Sequence, residues 1–206
     1  MAQPTLTCLD MEGVLVPEIW LALADRTGIS ELRLTTRDIP DYDELMSRRL
    51  EVLKQHGVTI GDLQKVVGDL SPLEGAVEFL RWLRMRSQVV VLSDTYYEFV
   101  WPLMKQLEYP TIFCHTLEIS PDGQIMKYCL RQRDQKRQAV LAFKGLGFRV
   151  LAAGDSYNDI SMLQEADAGI LFRPPEAIER EFPQFPVVRS YEAFQKALIE
   201  MGGLVP

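Results

Sequence analysis

The chain has 206 residues, of which 47% are hydrophobic and 25% are charged, and its formal net charge is −7. This size suits one α/β domain or a core with a small insertion, and the negative charge argues against a nucleic-acid partner. No apolar run approaches the roughly 20 residues of a membrane helix, and the N-terminus lacks a secretory signal. We therefore expect a cytoplasmic protein with no membrane partner, whose three widely spaced cysteines are free thiols.

The first pattern in the chain is Thr-Leu-Thr-Cys-Leu-Asp-Met-Glu-Gly-Val-Leu, residues 5–15. Thr5 to Leu9 are β-branched or apolar and predict a short buried strand. Asp10 and Glu12 follow directly at its carboxyl end, which is where open α/β sheets bind ligands. A polar turn has a similar composition, since turns are rich in Asp and Gly, so this stretch alone leaves both interpretations open.

Residues 17–71 predict helices and no convincing strand. Apolar residues at helical spacing, bounded by start and stop signals, indicate three helices: Pro17 to Arg26, Tyr42 to Gln55, and Asp62 to Val67. Asp41 is the candidate N-cap of the second helix. A doubly wound fold normally has one crossover helix after its first strand. We therefore expect residues 17–71 to form a helical cap domain inserted into a core of residues 1–16 and 72–206.

Arg49 is unusual because it falls on the apolar face of the second predicted helix, beside Leu45, Met46 and Leu53. An Arg at the edge of a core can bury its aliphatic stem while its charge stays in water. Alternatively, the guanidinium faces a cleft and binds an anion. The helical pattern alone leaves both interpretations open.

From Ser71-Pro72 onward, helices and strands alternate, which predicts a Rossmann-like, doubly wound parallel sheet. The expected strands are buried apolar runs: Val89–Leu92, Thr111–His115, Arg149–Ala153, Gly169–Phe172 and Val187–Val188. The expected helices have apolar residues at helical spacing: Ala76–Leu83, Tyr96–Leu107 with an interruption near Pro102, Asp134–Leu146 with Asp134 as its cap, Ser161–Glu165, Pro174–Phe182 and Tyr191–Met201. Ser120-Pro-Asp-Gly123 is a turn signal that predicts a β-hairpin.

Polar residues follow three of the predicted strands. The three groups are Asp10 with Glu12; Ser93, Asp94 and Thr95; and Asp155 with Asn158 and Asp159. Lys136 starts the helix that leads into the third strand. Because the tips of parallel strands meet at one edge of a sheet, these groups predict a single site.

Phosphoryl transfer is the chemistry that this site suits. Asp10 can form an aspartyl-phosphate, and Glu12 can protonate the leaving oxygen and then activate the incoming one. Asp10 and Asp155 supply oxygen ligands of the kind that Mg²⁺ takes. Ser93 and nearby backbone N–H groups can hold phosphate oxygens while Lys136 offsets charge.

The residues Asp10-Met-Glu12-Gly-Val, Ser93, Lys136 and Gly154-Asp155-Ser-Tyr-Asn158-Asp159 resemble the four motifs of the haloacid dehalogenase superfamily, in order and over the whole chain. The chain is most similar to the phosphoserine phosphatase branch, which places a helical cap after the first motif. The stretches DMEGVLVPEIW, TTRDIPDYD, LEGAVEFL and FPQFPVV resemble its bacterial bifunctional members. The resemblance implies hydrolysis of L-phosphoserine and transfer of its phosphoryl group to homoserine.

The resemblance also implies roles at the strand tips. Asp10 matches the nucleophile and Glu12 the general acid and base. The implied Mg²⁺ ligands are Asp10, the backbone carbonyl of Glu12, and Asp155. The residues matching contacts on the phosphate side are Ser93 with its neighbours Asp94 and Thr95, Lys136 and Asn158. Asp159 would orient waters or Lys136 from outside the metal's own ligand set.

In this branch, a Glu of the cap meets the substrate amine and an Arg of the cap meets its carboxylate. Glu18 and Arg49 are the matching positions. Arg48 is the competing arginine, but it falls off the apolar helix face. Lys144 is the competing lysine, but it lies further from its helix start than Lys136 does.

Two residues depart from the superfamily pattern. Glu12 stands where the superfamily usually has Asp, and Val14 stands where it usually has Thr. The extra methylene of Glu12 moves its carboxylate by roughly a bond length, and a ~1 Å displacement can change rates strongly. Our hypothesis is that Glu12 activates water less well, so that an alcohol such as homoserine competes for the phosphoenzyme.

Two alternatives stay open. One is a phosphatase of the same superfamily acting on another small phosphomonoester. The other is a non-catalytic phospho-acceptor or phosphate-binding module, since receiver domains also combine clustered Asp residues, a Ser or Thr, and a Lys. Receivers are shorter and lack a helical insertion after the first strand, which favours the enzyme. The sequence is compatible with a monomer or a homodimer.

Overall fold

The computed structural model describes residues 3–35, 38–39 and 41–204. The strands are β1 (Thr5–Leu9), β2 (Gln88–Tyr96), β3 (Thr111–Ile119), β4 (Ile125–Cys129), β5 (Arg149–Gly154), β6 (Ala168–Phe172) and β7 (Val187–Val188). The α-helices are α1 (Ile19–Thr27), α2 (Tyr42–Gln55), α3 (Ile60–Gly68), α4 (Ala76–Arg84), α5 (Tyr97–Gln106), α6 (Gln135–Gly145), α7 (Ile160–Glu165), α8 (Glu176–Glu181) and α9 (Tyr191–Gly202). Short 3₁₀ turns cover Ser30–Arg33 and Tyr157–Asp159.

The seven strands form one sheet in the order β4-β3-β2-β1-β5-β6-β7. Neighbouring strands are parallel except for β3 and β4, which form an antiparallel hairpin. Helices α4, α5 and α9 pack on one face, and α6, α7 and α8 pack on the other, each over its own apolar cluster. The structure therefore confirms the predicted doubly wound α/β core and the hairpin.

The central strand β1 determines where the polar residues meet. Leu9, its last residue, pairs with Val91 of β2 and with Ala153 of β5. The segments that follow these three positions therefore lie side by side at the carboxyl edge of the sheet. The order of strands along the chain reverses at β1, and such switch points are where α/β sheets bind ligands.

Helices α1, α2 and α3, called the cap helices below, lie between β1 and α4. The described residues of 17–71 contain no strand, as expected. The cap helices share one apolar cluster with the core, which joins Leu23 and Leu63 to Phe99 of α5. The Asp41 side chain accepts a hydrogen bond from the Glu44 N–H at 2.8 Å, which confirms it as the N-cap of α2. The division of the chain into two domains stays a prediction.

The predicted interruption at Pro102 is wrong, because α5 is continuous with Pro102 inside it. A proline has no N–H, so the carbonyl four residues earlier loses its helical partner. That carbonyl belongs to Glu98, and it accepts a hydrogen bond from Nε2 of Gln64 in α3 at 2.7 Å. A neighbouring helix therefore satisfies the group that the proline leaves open.

Two further predictions need correction. Strand β2 runs through Ser93, Asp94 and Thr95 to Tyr96 instead of ending before them, with a register shift against β3 between Leu92 and Tyr96. Asp134 precedes α6 but makes no capping hydrogen bond, since its backbone is left-handed (φ 48°). Its carboxylate instead accepts a hydrogen bond from the Ser161 hydroxyl at 2.7 Å.

Cys8 and Cys114 are buried free thiols, as expected, and the free thiol of Cys129 is half-buried. Within the described part of the chain, no helix combines the length and the apolar character needed to cross a membrane.

Candidate active site

A buried ion-pair network lies at the carboxyl edge of the sheet. Lys136, in the first turn of α6, places Nζ 2.8 Å from Oδ1 of Asp10 and 2.7 Å from Oδ1 of Asp159. The side chains of Lys136, Asp10 and Asp159 are 3%, 6% and 0% exposed. An unpaired charge at this depth would be costly, so each member depends on the others. The structure thus brings together two residues that the sequence analysis placed at different strand tips and a lysine that it placed at a helix start.

Asp159 is fully committed to contacts within the protein. Its Oδ1 accepts from Lys136, and its Oδ2 accepts from the backbone N–H groups of Asp155 and Ser156 at 3.0 and 3.1 Å. A Cβ at Gly154 would lie 2.2 Å from the Asp159 carboxyl carbon, so the glycine makes room for this arrangement. Asp159 therefore orients Lys136 and the loop after β5.

Asp155, by contrast, has one carboxylate oxygen that is not engaged in a hydrogen bond within the described residues. Its Oδ1 is buried and has no hydrogen-bond partner among the described residues. Carboxylate oxygens of Asp10, Asp155 and Asp159 lie within 4.8 Å of one another. Burial, followed by the Asp159 carboxylate, raises the pKa of Asp155 to about 7. Crowded carboxylates of this kind are hard oxygen donors that a small divalent cation would relieve of repulsion, so the set fits Mg²⁺.

Gly13 is required beside this cluster for two reasons. Its φ of +77° lies in the left-handed region that side chains rarely adopt, and a Cβ there would meet the Asp155 carboxyl carbon at 2.5 Å. The glycine after Glu12 therefore lets the β1 loop pass directly against Asp155.

Glu12 is half-buried beside α1, and its Oε2 accepts a hydrogen bond from the Ile19 N–H at 2.8 Å. Burial, followed by repulsion from the Glu18 carboxylate, raises the pKa of Glu12 to about 8. Most of the Glu12 population is therefore protonated at neutral pH, which is the state a general acid needs. The first turn of a cap helix thus positions a residue that the β1 loop supplies.

These groups face a cavity of about 260 Å³ between the sheet edge and the cap helices. Its walls include most of the residues predicted from sequence: Asp10, Glu12, Glu18, Arg49, Ser93, Asp94, Lys136 and Asn158. Asp155 and Asp159 adjoin it through the contacts above. Thr95 is buried and does not line this cavity; its N–H lies 3.3 Å from the Ser93 hydroxyl.

Arg49 is buried at the cap side of the cavity, 8% exposed. Its Cζ lies 4.2 Å from the centre of the Trp20 ring, and its Nη2 donates to the Leu34 carbonyl at 2.8 Å. Burial lowers the pKa of Arg49 from its ordinary value, although an arginine remains charged near neutral pH. Arg48 is exposed, so the structure favours Arg49 as the cation that faces the cleft.

Asp94 is held by Gln135 and His115, which the sequence analysis did not identify, and by Asn158, which it did. Gln135 Nε2 donates to the Ser93 carbonyl at 2.6 Å and to Oδ1 of Asp94 at 2.9 Å. The buried His115 places Nε2 3.6 Å from the same oxygen, and its Nδ1 accepts from the Arg131 N–H. Asn158 Nδ2 donates to Oδ2 of Asp94 at 2.7 Å.

The pKa of Asp94 follows from these contacts. Burial works to raise it, but Lys136 and the hydrogen bonds from His115, Gln135 and Asn158 outweigh burial and hold the pKa well below its usual range. Gln135 stands directly before Lys136 in the sequence, and that adjacency was the only local signal for it. His115 lies on β3, and nothing in its neighbours along the chain marks it.

A doubly wound sheet with Asp10, Lys136 and the Asp155 loop at one edge is the arrangement that the sequence motifs implied. Residues 8–167 match the family model of the haloacid dehalogenase-like hydrolases, and the chain belongs to this family.

Two curated relatives are similar to this chain over most of its length. Phosphoserine phosphatase ThrH of Pseudomonas aeruginosa is 60% identical over 195 residues, which cover 95% of both chains. A phosphoserine phosphatase of Pseudomonas syringae is 59% identical, over 95% of this chain and 82% of the relative. The crystal structure of a phosphoserine phosphatase in apo form matches with a TM-score of 0.77 at 21% identity, covering 94% of this chain and 98% of the other, which is a likeness of fold.

Proposed function

We propose that the chain is a Mg²⁺-dependent phosphoserine phosphatase that works through an aspartyl-phosphate on Asp10 and also transfers the phosphoryl group to homoserine. The observation that carries this proposal is the composition of one cavity: Asp10 bound to Lys136 on the sheet side, with Glu18 and Arg49 on the cap side. The high identity to two phosphoserine phosphatases supports the substrate.

The first chemical step is assigned to Asp10 and Glu12. An oxygen of the Asp10 carboxylate bonds to phosphorus as the bond from phosphorus to the serine oxygen breaks. Glu12 gives its proton to that departing oxygen, which releases L-serine. Its raised pKa, about 8, keeps this proton available at neutral pH. The step conserves charge and atoms without any other reactant.

In the second step, Glu12 acts as a base instead of an acid. Glu12, now a carboxylate, takes a proton from water, whose oxygen bonds to phosphorus while the bond to Asp10 breaks and phosphate leaves. When the hydroxyl of homoserine takes the place of water, the same step yields phosphohomoserine. Because Ile19 fixes one oxygen of Glu12, the position of its carboxylate relative to the acceptor is set by α1.

The other residues of the site are assigned to binding the metal ion and the phosphate and to offsetting their charge. Asp10, Asp155 and the carbonyl of Glu12 are the proposed Mg²⁺ ligands, and the unpaired buried Oδ1 of Asp155 is the observation that favours this set. The ion, when bound, offsets the phosphate charge and polarises phosphorus for attack. Lys136 holds Asp10 in place, while Ser93 and Asn158 lie on the phosphate side of the cavity.

Selectivity is assigned to the cap side. Glu18 would meet the ammonium group and Arg49 the carboxylate of an amino-acid phosphate. A carboxylate hydrogen-bonded to a buried guanidinium forms a charge-assisted contact about twice as strong as a neutral one. This pair of opposite charges suits a zwitterionic amino acid better than an alkyl or sugar phosphate.

The experiment that tests the function is phosphate release from L-phosphoserine, with and without Mg²⁺ and with and without homoserine, beside an Asp10→Asn control. We expect Mg²⁺-dependent release that chelation abolishes and that is lost in the control, and phosphohomoserine when homoserine is present. Turnover of a generic aryl phosphate but not of phosphoserine would keep the enzyme class and overturn the substrate. Turnover of neither would favour a non-catalytic phosphate-binding module.

A further inference from the structure

The contacts of Arg49 point to a residue that the family motifs leave without a role. We propose that Trp20 is a positioning residue that sets specificity for the substrate carboxylate by holding the Arg49 guanidinium against its ring. This inference rests on the proposed function, in which Arg49 meets that carboxylate.

Arg49 keeps donors available for a ligand. Nη2 donates to the Leu34 carbonyl, whereas the acceptor for Nη1 is the Met46 thioether at 3.7 Å. Nε is buried and has no hydrogen-bond partner among the described residues. A guanidinium has five N–H groups, so the N–H groups of Nη1 and Nη2 that make neither of these contacts remain for an anion that enters the cavity.

The ring of Trp20 compensates for the charge of Arg49 without neutralising it. Among the described residues, the hydrogen-bond acceptors of the guanidinium are the neutral Leu34 carbonyl and Met46 thioether, and its Cζ is 4.2 Å from the ring centre. An aromatic face attracts a cation, most strongly for Trp and more strongly when the pair is desolvated. A Glu or Asp in place of the ring would pair with the guanidinium and compete with the ligand for it.

The position of the ring is fixed from outside the cap helices. Trp20 is 9% exposed, and its ring meets Phe99 of α5 edge to face, with centres 6.3 Å apart and planes at 85°. The preceding residue, Ile19, donates its N–H to Glu12. The first turn of α1 therefore places the ring, and with it Arg49, in a fixed relation to the acid that serves the leaving oxygen.

The test compares two substrates that differ in one group. O-phosphoethanolamine has the phosphate and amine of phosphoserine but no carboxylate. We expect Trp20→Leu to lower the ratio of kcat/KM for phosphoserine over phosphoethanolamine about tenfold, mainly through a higher KM for phosphoserine. Trp20→Tyr and Trp20→Phe should fall between, in the order Trp, Tyr, Phe, Leu, because the attraction of the ring for a cation decreases in that order.

Two controls separate positioning from packing. Trp82→Leu removes the same kind of contact elsewhere, since Arg86 lies 4.6 Å from the Trp82 ring centre, and it should leave the ratio unchanged. In an Arg49→Met background, Trp20→Leu should cause no further fall in the ratio, because a residue that acts through Arg49 has no effect without it. The conservative Trp20→Tyr variant keeps the test decisive if the leucine variant unfolds.

Three results would overturn the inference alone. An equal loss with both substrates would make Trp20 a general packing residue, and an unchanged ratio would deny it any role. An additive effect in the Arg49→Met background would mean that Trp20 acts on the substrate by another route. The wild type failing to hydrolyse phosphoserine while hydrolysing phosphoethanolamine would instead overturn the proposed function, and this inference with it.

Discussion

The two walls of the cavity are built in different ways. On the sheet side, Lys136 lies within 2.8 Å of both Asp10 and Asp159, and all three side chains are almost fully buried. On the cap side, Arg49 has no ion pair among the described residues and is held by a ring, a carbonyl and a thioether. On the sheet wall, opposite charges pair with one another within the protein. On the cap wall, the positive charge of Arg49 remains available to a ligand.

This difference suggests that the residues that carry out the reaction and the residues that select the substrate lie on different walls. The groups proposed to break and form bonds come from strand tips of one rigid sheet, where a small displacement would be costly. The groups proposed to select the substrate come from helices inserted after β1. The two walls are joined by the hydrogen bond from Ile19 to Glu12, and by the Tyr42 hydroxyl of α2, which lies 3.0 Å from the Tyr96 hydroxyl of β2. Variants on the sheet wall should therefore affect every substrate, and variants on the cap wall should discriminate among substrates.

The largest effect is expected for Lys136→Met. It leaves Asp10 and Asp159 buried without their cation, and breaking a buried pair in this way costs about 3–5 kcal/mol of unfolding free energy. Phosphate release should be lost with every phosphomonoester. Denaturant unfolding and phosphate assays check both.

Lys144→Met is the matched control for that variant. Lys144 pairs with Glu165 and Asp167 at a site where it is 35% exposed, so the change should cost no more than about 1 kcal/mol and leave activity intact. Similar losses in the two lysine variants would show that the sheet wall has no special dependence on its buried pairs.

Arg49→Met should have the second-largest effect on activity. Losing a charge-assisted contact worth about 1.5–3 kcal/mol should raise the KM for phosphoserine about 10- to 100-fold, with a much smaller change for phosphoethanolamine. Steady-state kinetics with both substrates measure the difference. Arg48→Met, one residue earlier and exposed, should change neither value. A loss of activity of equal size for both substrates would show that the cap wall does not select the substrate.

The pH dependence of activity tests Glu12, which a hydrogen bond from α1 holds. A general acid works only when protonated, so with a pKa of about 8 for Glu12, kcat/KM for phosphoserine should fall as pH rises through about 8, approaching tenfold per pH unit. A p-nitrophenyl phosphate substrate, whose leaving group needs little protonation, should lack this fall. The same alkaline fall with both substrates would assign it to another group.

Glu12→Asp should have the smallest effect, a several-fold decrease in the ratio of phosphohomoserine to phosphate formed. The shorter side chain gives up the hydrogen bond from Ile19 and brings the carboxylate to where water is activated better. Product analysis at fixed homoserine concentration measures the ratio. Equal ratios in the wild type and the variant would disprove the hypothesis that the longer side chain favours transfer.

The sequence predicted the sheet wall better than the cap wall. Strand tips are visible because apolar runs stop at Asp10 and Asp155, and parallel strands bring such tips together. The helical pattern alone left the role of Arg49 open, and the Trp20 ring that its guanidinium packs against lies on another helix. Pro102 was misread for a similar reason, since Gln64 of α3 supplies the missing hydrogen bond. Contacts between elements distant in sequence leave no local pattern.

The most direct test of the central claim is to find where the phosphoryl group goes. Wild-type enzyme is mixed with L-phosphoserine and Mg²⁺, quenched with acid within one turnover, digested, and mapped by mass spectrometry. We expect a phosphoryl group on Asp10 that disappears when water or homoserine is allowed to react, and no phosphorylated peptide in Asp10→Asn. A phosphoryl group on another residue, or phosphate release by Asp10→Asn at the wild-type rate, would contradict the central claim.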